Sequence, residues 1–176
     1  MSTSPFRIRE GNSSDFPEIF RLVQELAEYE RLRHEVVATL KDYQKFGAGA
    51  SPYFYTLLAE IPDRDGFRAV AFALYFFTFS TFLGKPTLYL EDLFVEPAHR
   101  GQGIGKALLA ELARIALQRD CGRMEWAVLN WNTPAIEFYQ SLGAVPQSEW
   151  TVYRLTRENI QRLVSMQKNL QNNQEP

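Results

Sequence analysis

The chain has 176 residues, 45% of them hydrophobic and 23% charged, and a formal net charge of −2. That balance suits one globular domain with a proper core and argues against nucleic acid as a partner. The single cysteine, Cys121, excludes an intrachain disulfide framework, and His34 and His99 lack a ligand spacing, so no metal is expected.

Residues 1–5 lead into a charged segment with no signal-type apolar stretch, and the longest apolar run, 69–79, is too short to span a bilayer. A cytoplasmic protein without a membrane partner is expected. Phe6-Arg7-Ile8-Arg9 predicts a first strand. Asn12, Ser13, Ser14 and Asp15 supply capping residues, and Ile19, Phe20, Val23, Leu26 and Ala27 recur at helical spacing, predicting a helix from Phe16 to about Tyr29. Thr39 and Asp42 have the spacing to cap a second, short helix that stops near Gly47 and Gly49. Segments 53–60, 69–79 and 87–95 are β-rich and are joined by turn-like 62–66 and 83–86, which suits antiparallel hairpins. The aromatic block 75–82 reads mostly as core strand.

Ile104, Leu108, Leu112, Ile115 and Ala116 make an apolar helical stripe that ends near Cys121-Gly122. Residues 124–129 predict a strand. Asn132-Thr133-Pro134 starts another helix, with proline in its first turn and Gly143 just past its end. Residues 150–155 predict a final strand and 157–167 a terminal helix, followed by a polar, frayed tail at 169–176. The whole is expected to be one domain, 1–176, of mixed α/β class.

Between strand and helix the chain reads Arg100-Gly101-Gln102-Gly103-Ile104-Gly105-Lys106. Glycines at alternate positions clear side chains from a turn whose unpaired backbone N–H groups converge where the helix dipole favours negative charge. That makes an anion cradle, for which pyrophosphate is the usual occupant. Gly101 lies too near Gly105 for P-loop spacing, and Ala107 replaces the hydroxyl that would hold magnesium. A dinucleotide fingerprint fails because Lys106 stands where its third glycine belongs. What remains, Arg100-x-x-Gly103-x-Gly105, resembles the acyl-CoA pyrophosphate loop of the GNAT acetyltransferase superfamily.

The preceding strand carries an acidic pair. Strict alternation puts Tyr89, Glu91, Leu93 and Val95 on one face and Leu88, Leu90, Asp92 and Phe94 on the other. Glu91 is then expected among apolar neighbours, where desolvation favours the neutral carboxyl and suits a general base. Asp92 reads as structural. Cys121 reads as a small buried residue and His99 as an exposed turn histidine.

The run from Tyr89 to Val95, the glycine loop, and Trp131-Asn132-x-x-Ala135-Ile136-x-Phe138-Tyr139-x-x-Leu142-Gly143-Ala144 together resemble the spermidine/spermine N-acetyltransferase family of GNAT enzymes. The resemblance covers nearly the whole chain. It implies a mostly antiparallel mixed sheet flanked by helices, with a β-bulge near Leu93, Phe94 and Val95 that frees backbone N–H groups for the pantetheine arm and acetyl carbonyl. Arg100, Gly101, Gln102, Gly103, Ile104, Gly105 and Lys106 would hold the pyrophosphate of acetyl-CoA. Asn132, Thr133, Pro134 and Ala135 would contact the same co-substrate. Tyr139 matches the family's general acid and also touches the co-substrate, while Glu91 matches the base. On periodicity alone Tyr139 could equally be a core residue beside Ile136.

Tyr29, Glu30, Glu125 and Trp126 match positions on the substrate side. Ser80 and Phe82 stand where polyamine acetyltransferases of the family place an acidic residue and a tryptophan, so the resemblance is closer to the thialysine-acetylating branch. Trp150 matches a region that crosses to a second subunit, which implies a homodimer. The implied activity is acetyl transfer to a small primary amine or diamine. A protein lysine or N-terminal acetyltransferase and a non-catalytic acyl-CoA sensor are the alternatives.

Overall fold

In the computed structural model, which describes residues 6–64 and 66–172, the chain divides into two compact units, Met1–Ala127 and Val128–Pro176. The expectations for residues 1–5 and for the tail at 173–176 lie outside the described residues. The first unit carries a five-stranded sheet of β1 (Arg7–Glu10), β2 (Tyr55–Asp63), β3 (Gly66–Ser80), β4 (Lys85–Val95) and β5 (Arg123–Trp126) in sequential order. The first four strands pair antiparallel, β2–β3 and β3–β4 through short hairpins and β1–β2 across the long connection 11–54; β5 joins β4 in parallel. A parallel neighbour needs a crossover, and α3 (Ile104–Gln118) supplies it.

Helix α1 (Phe16–Tyr29) forms where the apolar stripe predicts it, and α2 (Leu40–Gly47) begins with Thr39 and Asp42 in a reciprocal capping box. The α1 stripe buries Phe16, Ile19, Leu22 and Leu26 against Leu58, Ala69, Phe72, Leu74 and Phe94 of the sheet. At about 25 cal/mol per Å² of apolar surface, such side chains each contribute on the order of 2 kcal/mol. Helix α3 buries Ile104, Leu108, Leu112 and Ile115 and runs across β2 to β5. Leu57 and Ala73 face away from α1, because they are register partners next to the Leu58–Phe72 pair that faces it.

Several expectations need correction. Residues 127–129 do not extend β5, which stops at Trp126. The aromatic block is not all core, since Phe79 and Phe82 at the β3–β4 turn are 64% and 93% exposed. Ser80 is buried there and accepts a hydrogen bond from the Leu83 N–H at 3.3 Å, so its hydroxyl serves the turn. In the second unit, α4 (Thr133–Ser141) and α5 (Arg157–Asn172) are present, but residues 150–155 form no strand. The α5 backbone also continues through 169–172, which composition had placed in a frayed tail.

Candidate active site

Strand β4 changes character halfway along. Tyr75 of β3 pairs with Leu90, yet its neighbour Leu74 pairs with Asp92, so Glu91 is an extra residue in β4. This is a β-bulge. It lies at Glu91 rather than at Leu93, Phe94 and Val95, where it was expected. The parallel ladder with β5 runs Thr87–Arg123, Leu88–Met124, Tyr89–Glu125 and Leu90–Trp126, and stops there. From Glu91 to Val95 the β5-facing edge of β4 has no strand partner among the described residues. Backbone donors on that edge are available to another molecule.

At the end of this open edge lies the glycine turn. Gly101 and Gly103 have φ of +75° and +84°, and a Cβ on either would meet nothing within 4 Å. These left-handed conformations are what require glycine, and they leave the space over the turn clear. Helix α3 starts directly at Ile104 with Gly103 as its N-cap and no capping side chain. The positive end of the helix dipole therefore faces open space, which fits a diphosphate. The turn is held from below. Arg100 Nε donates to the Val95 carbonyl at 2.9 Å, and its guanidinium lies 4.3 Å from the Tyr29 ring centroid and 5.7 Å from that of Phe94. Gln102 donates to the Ala98 carbonyl at 3.4 Å. Ile104 is buried, Gly105 is half-buried and Lys106 is exposed.

The carboxylates divide differently from the expectation. The bulge breaks strict alternation: Asp92 lies opposite Leu74 on the α1 face with Phe94, while Leu88 and Leu90 fall on the other face. Glu91 is exposed and Asp92 is partly buried. Burial, together with the charges of Glu91 and Glu30, pushes the Asp92 carboxyl up to about 7. The desolvated carboxylate of the pair is thus Asp92 rather than Glu91. Glu30, just past the end of α1, is raised by burial as well. Tyr43 of α2 is raised to about 12 by burial and by the Asp92 charge. Glu125 on β5 is half-buried and pairs with Arg123 at 3.0 Å, next to half-buried Trp126.

Just beyond β4, Glu96 holds a different arrangement. Arg68 Nη1 donates to its two carboxyl oxygens at 2.8 and 2.9 Å, and Arg21 Nη1 donates at 3.0 Å. His99 Nε2 lies 3.7 Å from Glu96 and 3.2 Å from Arg68. His99 is therefore a half-buried member of this network and not a solvent-exposed turn residue. Cys121 is only half-buried.

In the second unit, Asn132 is buried as the N-cap residue of α4, and its carbonyl accepts from Ala135 and Ile136 at 3.1 and 3.0 Å. Thr133 and Pro134 open the helix and are exposed; Ala135 is half-buried. Tyr139 is half-buried one turn further on, with its ring centroid 5.4 Å from that of Phe138.

Residues 16–144 match the acetyltransferase (GNAT) family. The chain belongs to that family. It is 38% identical over 164 residues to the thialysine N-epsilon-acetyltransferase of Mus musculus, covering 89% of this chain and 96% of that protein. It is 32% identical over 198 residues to the L-ornithine N5-acetyltransferase NATA1 of Arabidopsis thaliana, covering 89% and 87%. Among solved structures, an integron cassette protein from the mobile metagenome of V. cholerae superposes with a TM-score of 0.76 at 25% identity, covering 92% of this chain and 99% of that one. As a GNAT protein the chain is an N-acetyltransferase, and enzymes of this family use acetyl-CoA as co-substrate.

For this GNAT enzyme the structure brings Glu91, Leu93, Phe94, Val95, the 100–106 turn, Tyr29 and Glu30 together at one end of the sheet. Sequence reasoning missed Tyr43 and the burial of Asp92. The acidic pair was visible as a signal, but its orientation was not. Among the described residues no group of histidines, cysteines or carboxylates suits a metal ion, and no helix is long and apolar enough to cross a membrane.

Proposed function

We propose that this enzyme transfers the acetyl group of acetyl-CoA to a primary amine of a small amine or diamine, by direct attack with both substrates bound. The parting of β5 from β4 at Leu90, one residue before the bulge and on the strand that feeds the glycine turn, carries this reading. It offers a groove of backbone donors that ends in an anion cradle. The N–H groups of the 101–106 turn would hold the diphosphate, while the free edge at Leu93, Phe94 and Val95 would hold the pantetheine arm. A donor on that edge aimed at the thioester carbonyl would stabilise the developing oxyanion.

The remaining roles follow the family resemblance. Asn132, Thr133, Pro134 and Ala135 bind the co-substrate in the proposal, and Tyr139 gives a proton to the departing thiolate. A carboxylate at the bulge takes the amine proton. Tyr29, Glu30, Glu125 and Trp126 receive the amine. An amino acid with a side-chain amine, of the thialysine or ornithine kind, is the favoured substrate, because relatives are named for such activities. Ser80 is turned into its hairpin and offers no carboxylate for a second ammonium. A cytoplasmic homodimer belongs to the same reading, and the exposure of Trp150, Val152 and Tyr153 suits contact with a second copy.

The test is free-thiol release from acetyl-CoA across a panel of thialysine, ornithine, lysine, putrescine and spermidine. Release with one or more of these supports the reading. Acetylation confined to peptides would favour a protein acetyltransferase, and co-substrate binding without release would leave an acyl-CoA sensor.

A further inference from the structure

The partly buried carboxylates of the first unit are not treated alike. Glu60 is held by Arg7 at 2.7 Å and Arg9 at 2.8 Å, and Glu96 by Arg68 and Arg21. Asp15 takes two hydrogen bonds from Arg9, at 2.8 and 2.7 Å. Asp92 differs, since no described residue offers it a hydrogen bond or an ion pair. A desolvated anion without a cation is costly, and folds avoid it unless a ligand or a proton completes the site.

The position of Asp92 follows from the bulge. The extra residue Glu91 turns Asp92 to the face that carries Leu74, Phe94 and α1, two residues past Leu90, where β5 departs. The ionisable groups that reach it are Glu30 from just past the end of α1, Tyr43 from α2 and Glu91 from its own strand. Its β3 partner, Leu74, is apolar. None of these neighbours is cationic. The place is therefore suited to an incoming ammonium, and Glu91, which is exposed, meets water instead.

We propose that Asp92, not Glu91, is the carboxylate that takes the proton from the substrate ammonium. The assignment rests on the acetyltransferase reading above. One ammonium proton passes to an Asp92 oxygen, directly or through one water, and then to solvent, leaving a neutral amine. The nitrogen lone pair forms the C–N bond; the C–S bond breaks with its electrons on sulfur. The second nitrogen proton leaves to solvent as the thiolate gains one. An acceptor works best when its own affinity for protons is near the working pH, which is where burial and like charge hold this carboxyl.

The experiment compares wild type, Asp92→Asn and Glu91→Gln in kcat/KM for thialysine with acetyl-CoA across pH 5.5–9.5, with calorimetric affinity for acetyl-CoA alongside. Wild type is expected to gain activity through an inflection near pH 7. Asp92→Asn should lose that inflection and fall roughly 100-fold or more, with acetyl-CoA affinity within about twofold of wild type. Glu91→Gln should keep the inflection. Asp92→Ser, measured in the same way, guards against an effect peculiar to the amide. An intact inflection and rate in both Asp92 variants, or its loss in Glu91→Gln alone, would overturn the assignment while leaving the enzyme an acetyltransferase. A wild type that binds acetyl-CoA yet releases no thiol with any amine would instead remove the function and this assignment with it.

Discussion

Asp92 and Glu96 sit on the same stretch of chain, both withdrawn from water, and their surroundings could hardly differ more. Burial alone would raise the Glu96 carboxyl, but Arg68 and Arg21 outweigh it and hold the group below its ordinary range. Asp92 is partly buried with only anionic and phenolic ionisable groups about it, and its carboxyl rises to about 7. Glu96 fastens the end of β4 to α1 and β3 just before the glycine turn; Asp92 is left for something the chain does not itself provide. The difference separates a carboxylate neutralised by two arginines from one that, in our proposal, meets its cation only when the substrate arrives.

The largest effect that would break this contrast is at Glu96. Glu96→Ala leaves Arg68 and Arg21 without their shared anion, and should cost about 3 kcal/mol of stability, read from urea unfolding. Because a lowered carboxyl contributes stability above its unfolded value, that deficit should shrink as pH falls below about 4. A loss under about 0.5 kcal/mol would show that the network does not hold the turn.

Asp92→Asn should act with the opposite sign. The unfolded chain releases this proton near 3.8, while the folded protein keeps it to about 7. Between those values the native state binds more protons, so wild-type stability falls as pH rises, and the slope ends above about 7. Asparagine has no such slope. The variant should therefore be more stable than wild type by roughly 1–3 kcal/mol at pH 8 and nearly equal to it at pH 4. Thermal unfolding at the two pH values checks this, and an unchanged difference would mean that Asp92 titrates in the folded protein as it does in the unfolded chain.

Arg100→Ala is expected to have a smaller effect, confined to function. It removes the stacking on Tyr29 and the bond to the Val95 carbonyl, and should weaken acetyl-CoA binding by about tenfold with less than 1 kcal/mol lost in stability. The smallest effect belongs to Glu91→Gln, whose exposed side chain should leave stability within about 0.5 kcal/mol of wild type.

The contrast between the two carboxylates also shows where sequence reading stops. Helices α1 and α3 were legible because their apolar stripes are periodic. The glycine turn was legible because Gly101 and Gly103 are needed for their φ values alone. The faces of β4 were not, since a single inserted residue reverses the alternation, and nothing in Tyr89-Leu90-Glu91-Asp92 says which residue bulges. That choice is made by pairing with β3, a long-range event. Residues 150–155 fail for a related reason. Their β-rich composition is real, but a strand exists only with a partner, and the five-stranded sheet closes within residues 7–126.

Calorimetric titration of the wild type and of Gly103→Val with acetyl-CoA tests the central claim most directly. A valine at φ +84° is strained and puts a branched side chain over the cradle. Micromolar binding by the wild type that weakens at least about 100-fold in the variant, with the fold retained by circular dichroism, is the predicted result. Equal affinity in the two proteins, or no affinity in the wild type at millimolar co-substrate, would contradict the placement of the diphosphate on this turn.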